Sequence, residues 1–138
     1  MTQEEKQLLL RDLCARFPYG IICRLSAKDA DVSITEKLEI GGLEHFISGT
    51  MDVKPYLRPL SSMTEEEQEE FRTLILPEAS CAYEDCLEWD VQIIGSGYLQ
   101  IFVEDFSKVV DWLNVHHFDY RGLIEKSLAI VAPEDMYK

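Results

Sequence analysis

The sequence predicts an α+β fold, a single domain in which amphipathic helices pack on a small, mainly antiparallel sheet. Its 138 residues fit one domain, so residues 1–138 are expected to fold together. Hydrophobic side chains make up 46% of the chain, as in ordinary globular domains rather than disordered ones. Segments with helical and strand periodicity also mix irregularly, whereas a parallel α/β sheet would need a regular succession of strand and helix.

The N-terminal segment predicts an amphipathic helix. Thr2 precedes Glu5 by three residues, which is the spacing of a capping box at a helix start. Apolar side chains then recur at helical spacing until Pro18 and Gly20 end the pattern. The apolar side consists of Leu9, Leu10, Leu13 and Phe17.

Two strand patterns follow this helix. The run YGIICRLS, residues 19–26, is apolar enough for a buried strand, and residues 31–42 alternate apolar and polar side chains. The connecting segment AKDAD is short and polar, so the two strands are expected to pair antiparallel. A Gly-Gly pair then interrupts the pattern, and residues 43–51 fit either a third strand or a short helix.

The middle of the chain predicts an extended segment followed by a helix. Pro55 and Pro59 disfavour helical angles in the residues before them, so the chain up to Ser61 is expected to be extended. Phe71 and Leu74 then supply the apolar side of a helix. Two capping boxes fit its start, namely Ser62 with Glu65 and Thr64 with Glu67.

The last third predicts a hairpin and two helices. Apolar runs on both sides of a Gly-Ser-Gly turn favour a hairpin over residues 89–102. A stripe with a period of 3.6 residues predicts a helix over residues 104–117. Asp119 is placed to cap a further helix over residues 119–130, in which Gly122 would permit close packing.

The charge distribution narrows the classes of partner. Thirteen basic and 26 acidic side chains give a net charge of −13, and ten carboxylates lie between Glu65 and Asp90. A chain this acidic repels the phosphate backbone, so direct nucleic-acid binding is not expected. The acidic region leaves two alternatives: it is a solvated helix face, or it imitates nucleic acid and occupies a basic protein.

The apolar runs and the cysteines predict a cytoplasmic protein without membrane contact. No apolar run is long enough to cross a bilayer, and the first residues do not form a basic and apolar leader. Four cysteines in such a chain are expected to be free, buried thiols. Their spacings differ from the short Cys-Cys knuckle of structural zinc, so no metal is predicted.

The segment WLNVHHFDYRGL, residues 112–123, concentrates the residue types that catalysis uses. Helical projection places His117 on the apolar stripe, where a hydrogen-bonded core residue is the expected role, and His116 at its edge. The alternative is a small hydrolytic enzyme in which His116 and Asp119 act as a base and its partner. Its residues are His116, Asp119, Tyr120 and Arg121. The sequence offers no adjacent nucleophile and no nucleotide-binding or hydrolase motif, so no cofactor is predicted.

A binding surface is predicted in KPYLRPLSS, residues 54–62. By the two-residue period of extended chain, Lys54, Tyr56 and Arg58 fall on one side and form a cationic and aromatic strip. Such a strip could bind a carboxylate, a phosphate or an acidic peptide, or it could neutralise the glutamates of the next helix. The acidic surface predicted with it contains Glu66, Glu67 and Glu70.

Two segments of the sequence resemble segments of known proteins. KPYLRPLSSMTEEE, residues 54–67, and DWLNVHHFDYRGLIEKSLAI with the APE and MYK that follow resemble signature segments of a group of small proteins. The group occurs in gut anaerobic bacteria, their prophages and mobile elements, and no activity is established for it. The resemblance therefore implies a phage or mobile-element setting and transfers no catalytic residue.

Taken together, these observations lead us to expect a non-enzymatic interaction protein or accessory factor with an unidentified protein partner. The nucleic-acid mimic is the sharper form of that expectation, and the small hydrolytic enzyme is the alternative. The sequence leaves the oligomeric state open.

Overall fold

A four-stranded sheet and four helices make up the part of the chain that the computed structural model describes, residues 1–75 and 106–137. The elements are α1 (Gln3–Arg16), β1 (Ile22–Ala27), β2 (Ser33–Lys37), α2 (Ile40–Ser48), β3 (Met51–Leu57), α3 (Glu65–Ile75), α4 (Phe106–Val115) and β4 (Ile130–Val131). The strand order is β2-β1-β3-β4, in which only β4 pairs in parallel. This mixed, mostly antiparallel sheet confirms the predicted α+β class.

The start of α1 follows the predicted capping box. The Glu5 N–H donates to the Thr2 hydroxyl at 3.1 Å, and the Thr2 N–H donates to the Glu5 carboxylate at 2.8 Å. The two bonds satisfy donors that a helix start leaves without intrahelical partners. After α1, Gly20 adopts a left-handed φ of +72°, which lets the chain turn into β1.

The antiparallel pairing of β1 and β2 is also confirmed. Leu25 lies opposite Ile34, and Arg24 lies opposite Thr35, so successive residues of β1 face opposite sides of the sheet. Cys23 and Leu25 are buried on the inner side. All five residues of β2 are exposed, because β2 is an edge strand.

The Gly-Gly pair and the residues after it form a helix, α2, rather than a strand. Gly42 suits this position because an added Cβ would lie 2.9 Å from Leu38 Cδ1 and 3.1 Å from Leu25 Cδ2, so that both leucine side chains would have to shift. The absence of a side chain lets α2 approach the sheet closely, and Phe46 is buried at this contact. The helical alternative of the sequence analysis is therefore the correct one.

The segment after α2 is extended as predicted through β3, and the backbone remains extended at Pro59 (φ −59°, ψ 145°), but not as far as Ser61. A 3₁₀ turn occupies Leu60–Ser62, and α3 then begins with the second of the two predicted capping boxes. The Glu67 N–H donates to the Thr64 hydroxyl at 3.2 Å, and the Thr64 N–H donates to the Glu67 carboxylate at 3.0 Å. Thr64 with Glu67, and not Ser62 with Glu65, is thus the cap.

Two apolar clusters hold these elements together. The larger one lies between α1, α2, the sheet and the C-terminal turns, and it includes Leu9, Leu13, Leu25, Phe46, Leu57 and Leu123. The smaller one joins α3, α4 and the residue Phe118, and it consists of Met63, Phe71, Val109, Leu113 and Phe118. Together they bury the apolar sides of α1, α3 and α4.

The C-terminal third departs from the prediction. Helix α4 ends at Val115, and the second helix predicted over residues 119–130 is wrong, because turns occupy most of that segment. Left-handed φ angles at His117 (59°), Gly122 (73°) and Ser127 (61°) interrupt helical geometry. Gly122 serves this conformation and not close packing, since an added Cβ would meet nothing within 4 Å.

Two further expectations have different outcomes. Cys23 is a buried free thiol as predicted, but Cys14 is exposed, so the expectation that the cysteines are all buried is wrong. The predicted hairpin over residues 89–102, together with Cys81 and Cys86, lies outside the described residues.

Candidate functional site

The nine residues that follow α4, residues 116–124, are hydrogen-bonded to the chain just after β3, and we call them the C-terminal joint. The Arg58 N–H donates to the His117 carbonyl at 2.8 Å, and the Asp119 N–H donates to the Arg58 carbonyl at 2.8 Å. These bonds bring together the two segments in which the sequence predicted functional residues, KPYLR and HHFDYR.

The two histidines of the joint occupy separate environments. His117 is buried, and its ring stacks on Tyr137 with 4.0 Å between the centroids. Burial, followed by the nearby charge of Arg16, lowers the pKa of His117 to about 4. His116 bonds through Nδ1 to the Trp112 carbonyl at 2.8 Å, and its ring lies tilted against the Trp112 ring, with 4.2 Å between the centroids. The core position expected for His117 is confirmed.

Asp119 uses both carboxylate oxygens to cap the turn that follows it. Its Oδ1 accepts from the Leu123 N–H, and its Oδ2 accepts from the Ile124 N–H, each at 2.9 Å. The capping role predicted for Asp119 is thus present, although the capped segment is a turn and not a helix. Within the described part of the chain, Asp119 does not orient His116.

Tyr120 and Arg121, to which the sequence assigned no structural task, both have one. The Tyr120 hydroxyl donates to Asn114 Oδ1 at 2.9 Å, and its ring lies near the guanidinium groups of Arg16 and Arg121, at 5.3 and 4.8 Å. Arg121 Nη1 is 3.6 Å from Asp12 Oδ1. These contacts connect the joint to α1.

A buried ion pair on α1, which the sequence analysis missed, completes this connection. Asp12 and Arg16 are fully buried, and Arg16 Nε donates to Asp12 Oδ2 at 2.9 Å. Arg16 Nη2 donates to the Phe118 carbonyl at 2.6 Å. Desolvation raises the pKa of Asp12, although the neighbouring Arg16 opposes that shift.

The sequence contained a signal for this pair. Leu9, Asp12, Leu13 and Arg16 recur at the i, i+3, i+4, i+7 spacing of one helix face. Two oppositely charged residues four apart on an apolar face predict a paired, buried contact, because an unpaired charge would be costly there.

An open cavity of about 500 Å³ lies beside the joint, lined by Leu8, Tyr120, Arg121, Gly122, Glu125 and Lys126. Neither His116 nor Asp119 lines it. Of the residues that line it, only Tyr120 has a hydroxyl, and that hydroxyl is bonded to Asn114. The cavity therefore does not gather the base, partner and nucleophile that a hydrolytic site requires.

Arg58 and Glu67, both predicted binding residues, bind each other. The guanidinium donates two hydrogen bonds to the carboxylate, at 2.6 and 2.8 Å, and lies 4.2 Å from the Phe118 ring centroid. Partial burial would raise the pKa of Glu67, but hydrogen bonds from Arg58 and Thr64 prevail and lower it to about 2. Of the other predicted acidic residues, Glu66 and Glu70 are exposed on α3.

Lys54 and Tyr56 lie instead on the outer face of the sheet, together with cations of the neighbouring strands. Arg24 of β1 lies directly between Thr35 of β2 and Lys54 of β3. Lys37 of β2 belongs to the same face, two residues from Thr35. We call Arg24, Lys37, Lys54 and Tyr56 the cationic face.

The cations of this face are not neutralised by carboxylates in the described part of the chain. Arg24, Lys37 and Lys54 take part in no ion pair there, and Asp52, two residues from Lys54 on the same face of β3, is 3.9 Å from Lys28. The Tyr56 hydroxyl is 3.4 Å from the Thr35 hydroxyl. The sequence predicted Lys54 and Tyr56, but it missed Arg24 and Lys37 because strand register was needed to place them.

The described residues contain no group of three or more potential metal ligands, and their helices include none long and apolar enough to cross a membrane. No protein-family model, curated protein or solved structure matches the chain.

Proposed function

We propose that the protein is a non-enzymatic interaction module that binds an acidic segment of a partner protein through the cationic face. The observation that carries this proposal is the direct juxtaposition of Arg24 and Lys54 in adjacent strands, with neither of them in an ion pair among the described residues. The resemblance noted in the sequence adds a setting for the module, a phage or mobile element.

Arg24 and Lys54 carry like charges and lie directly opposite each other on adjacent strands. Side chains directly opposite each other on neighbouring antiparallel strands have Cβ atoms about 5 Å apart, and like charges in that arrangement destabilise the sheet. The chain has twice as many acidic as basic side chains, 26 against 13, yet these cations are left together. A carboxylate from a partner would relieve the repulsion and accept hydrogen bonds from the Arg24 guanidinium.

An acidic polypeptide fits this surface better than nucleic acid does. The face contains three cations, whereas the whole chain has a net charge of −13 that would repel an extended phosphate backbone. A short peptide contacts the cationic face without extending over the acidic remainder of the surface. Tyr56 adds an aromatic surface that favours a peptide with apolar as well as acidic residues.

The contacts of the joint argue against the hydrolytic alternative. Asp119 is engaged by two backbone amides, His116 by the Trp112 carbonyl, and Tyr120 by Asn114. A base, its partner and a reacting group would each have to give up such a bond before acting. The function is therefore assigned to the cationic face.

Fluorescence anisotropy with short labelled peptides tests the proposal. One peptide alternates glutamate with valine, a second alternates lysine with valine, and labelled oligothymidine serves as the nucleic-acid probe. We expect only the glutamate peptide to bind, and its affinity to fall as the salt concentration rises.

Matched variants locate the binding surface. Lys54→Glu and Arg24→Glu should each lower the affinity about tenfold or more, which corresponds to about 1.4 kcal/mol. Arg11→Glu makes the same change of charge at an exposed position of α1 and should have little effect. Equal weakening by Arg11→Glu and Lys54→Glu, or binding of the lysine peptide alone, would overturn the proposal.

A further inference from the structure

Strand β2 presents an open edge that differs from the rest of the sheet. It is the first strand in the order β2-β1-β3-β4, and every one of its residues is exposed. Ile34 is 49% exposed and the preceding Val32 is 61% exposed. Natural edge strands usually avoid such apolar exposure, because an uncovered edge can pair with another strand.

The hydrogen bonds at the two ends of the β1–β2 pair show which backbone groups face outward. The Leu38 N–H donates to the Ile21 carbonyl, and the Ala27 N–H donates to the Val32 carbonyl. Bonded and non-bonded residue pairs alternate along an antiparallel ladder. Even-numbered residues of β2 therefore direct their backbone groups toward β1, and the odd-numbered ones, Ser33, Thr35 and Lys37, direct theirs away from the sheet.

No backbone hydrogen bond within the described ranges uses these outward groups. Three consecutive outward positions are enough to form a short antiparallel ladder with a second strand. A strand that pairs with this edge needs a complementary pattern of apolar and charged side chains, and β2 of a second copy has such a pattern.

We propose that two copies of the chain pair through β2, antiparallel, about a twofold axis that passes between their Ile34 side chains. In this register Ser33 of one copy forms hydrogen bonds with Thr35 of the other. The two exposed Ile34 side chains meet directly across the axis, at the close spacing of a non-hydrogen-bonded pair. Lys37 of one copy reaches the Asp31 end of the partner's strand.

Side-chain complementarity selects this register over its neighbours. A twofold axis at Thr35 would place Ile34 opposite the partner's Glu36 and Asp31 opposite the partner's Glu39. An axis at Glu36 would place that carboxylate opposite itself. An axis at Ser33 would place Val32 opposite the partner's Ile34 and Lys37 opposite the partner's Asp29, but Asp29 lies four residues before β2. The axis at Ile34 joins the two Ile34 side chains and pairs Lys37 with Asp31, which lies only two residues before the strand.

The pairing would form an eight-stranded sheet and align the cationic faces of two copies side by side. It does not rest on the proposed peptide binding, since the contacts that make it are those of β2 alone. The strand is short, and each copy has a net charge of −13, so the association should be weak and dependent on protein concentration.

Sedimentation equilibrium of the whole chain, without any peptide, tests the pairing. The average mass should rise with protein concentration from 15.9 kDa toward twice that value. Thr35→Pro removes an outward N–H while leaving the β1–β2 ladder intact, and it should reduce association at least tenfold. Ala30→Pro, in the exposed turn between the two strands, is the matched control and should still associate.

Surface variants test the register without relying on a proline. Ile34→Lys places two ammonium groups across the twofold axis and should abolish association. Asp31→Lys and Lys37→Asp should each weaken association, and the double variant Asp31→Lys/Lys37→Asp should restore it. A wild-type protein that remains monomeric at every concentration, or a double variant weaker than both single ones, would overturn the proposal.

Discussion

The C-terminal joint and the cationic face contain similar numbers of polar side chains but use them differently. In the joint, His116, Asp119 and Tyr120 each make a hydrogen bond within the protein, and Asp119 makes two. On the cationic face, Arg24 and Lys54 lie side by side without an ion pair in the described chain. The side chains that look catalytic in sequence are therefore engaged in hydrogen bonds within the protein.

This difference shows that the composition of a segment does not identify a site. A cluster of histidine, aspartate, tyrosine and arginine satisfies backbone groups where a helix ends and the chain turns. The like-charged pair across two strands makes no ion pair among the described residues, and such a pair destabilises a sheet. Variants in the joint should accordingly lower stability, and variants on the cationic face should lower binding.

The largest effect on stability is expected from the ion pair that connects α1 to the joint. Asp12→Ala leaves the buried Arg16 without its carboxylate and removes the charge beside Arg121. Breaking a buried ion pair on one side typically costs about 3–5 kcal/mol of unfolding free energy. Urea denaturation followed by circular dichroism measures this loss.

The control for this variant is Arg11→Ala, one residue away and exposed on the same helix. Its effect should stay within about 0.5 kcal/mol, as for most surface substitutions. If Asp12→Ala were no more destabilising than Arg11→Ala, the joint would not depend on the buried pair.

A smaller loss of unfolding free energy is expected when the ion pair between Arg58, just after β3, and Glu67 of α3 is removed. Arg58→Ala removes two charge-assisted hydrogen bonds to Glu67 and the contact with Phe118, so it should cost about 2 kcal/mol. Lys54→Ala, four residues earlier on the same strand side, should cost less than about 0.5 kcal/mol. Equal losses for the two variants would remove the distinction between a structural and a binding cation.

Acid should destabilise the joint through His117. Because its folded pKa is about 4 and its unfolded pKa is near 6.5, the unfolded chain binds more protons between these values. This residue's contribution to stability is complete above about pH 6.5 and decreases as the pH falls, by at most about 1.4 kcal/mol per pH unit.

The matched variant is His117→Asn, because asparagine tolerates the left-handed backbone found at this position. Unfolding curves recorded between pH 4 and pH 7 should show a shallower pH dependence for the variant than for the wild type. Identical slopes would mean that His117 binds its proton equally well in the folded and unfolded chains.

The smallest of these effects on stability is expected at Asp119, which caps the turn that follows it. Asp119→Ala removes the acceptor for the Leu123 and Ile124 amides and should cost about 1 kcal/mol, as the loss of a capping side chain does. Asp119→Asn retains an oxygen acceptor and should cost less. A loss for Asp119→Asn as large as for Asp119→Ala would show that the carboxylate charge, and not the hydrogen bonds, matters at this position.

The elements that were predicted correctly are those with a local physical signal. The capping boxes at Thr2 and Thr64, the β1–β2 pair and the core position of His117 follow from spacing and periodicity. The helix predicted after Asp119 failed because its apolar spacing resembled a helical pattern, whereas the left-handed backbone at Gly122 and Ser127 favours turns.

The candidate site was less predictable because it depends on contacts between distant segments. Lys54 and Tyr56 could be placed on one side of a strand from the sequence, but Arg24 joins them only through the register of β1 with β3. Arg58 does not belong to the cationic face, because its side chain binds Glu67 and lies over the Phe118 ring after folding. Periodicity assigns a side chain to a face, but it does not assign its partner.

Chemical-shift mapping by ¹H–¹⁵N correlation spectroscopy tests most directly which of the two regions binds. The ¹⁵N-labelled protein is titrated with the glutamate and valine peptide, and the backbone amide shifts of both regions are followed in the same spectra. We expect the largest shifts at Arg24, Thr35 and Lys54, with the amides of residues 116–121 nearly unchanged. Shifts concentrated at residues 116–121, with Arg24 and Lys54 unperturbed, would contradict the account.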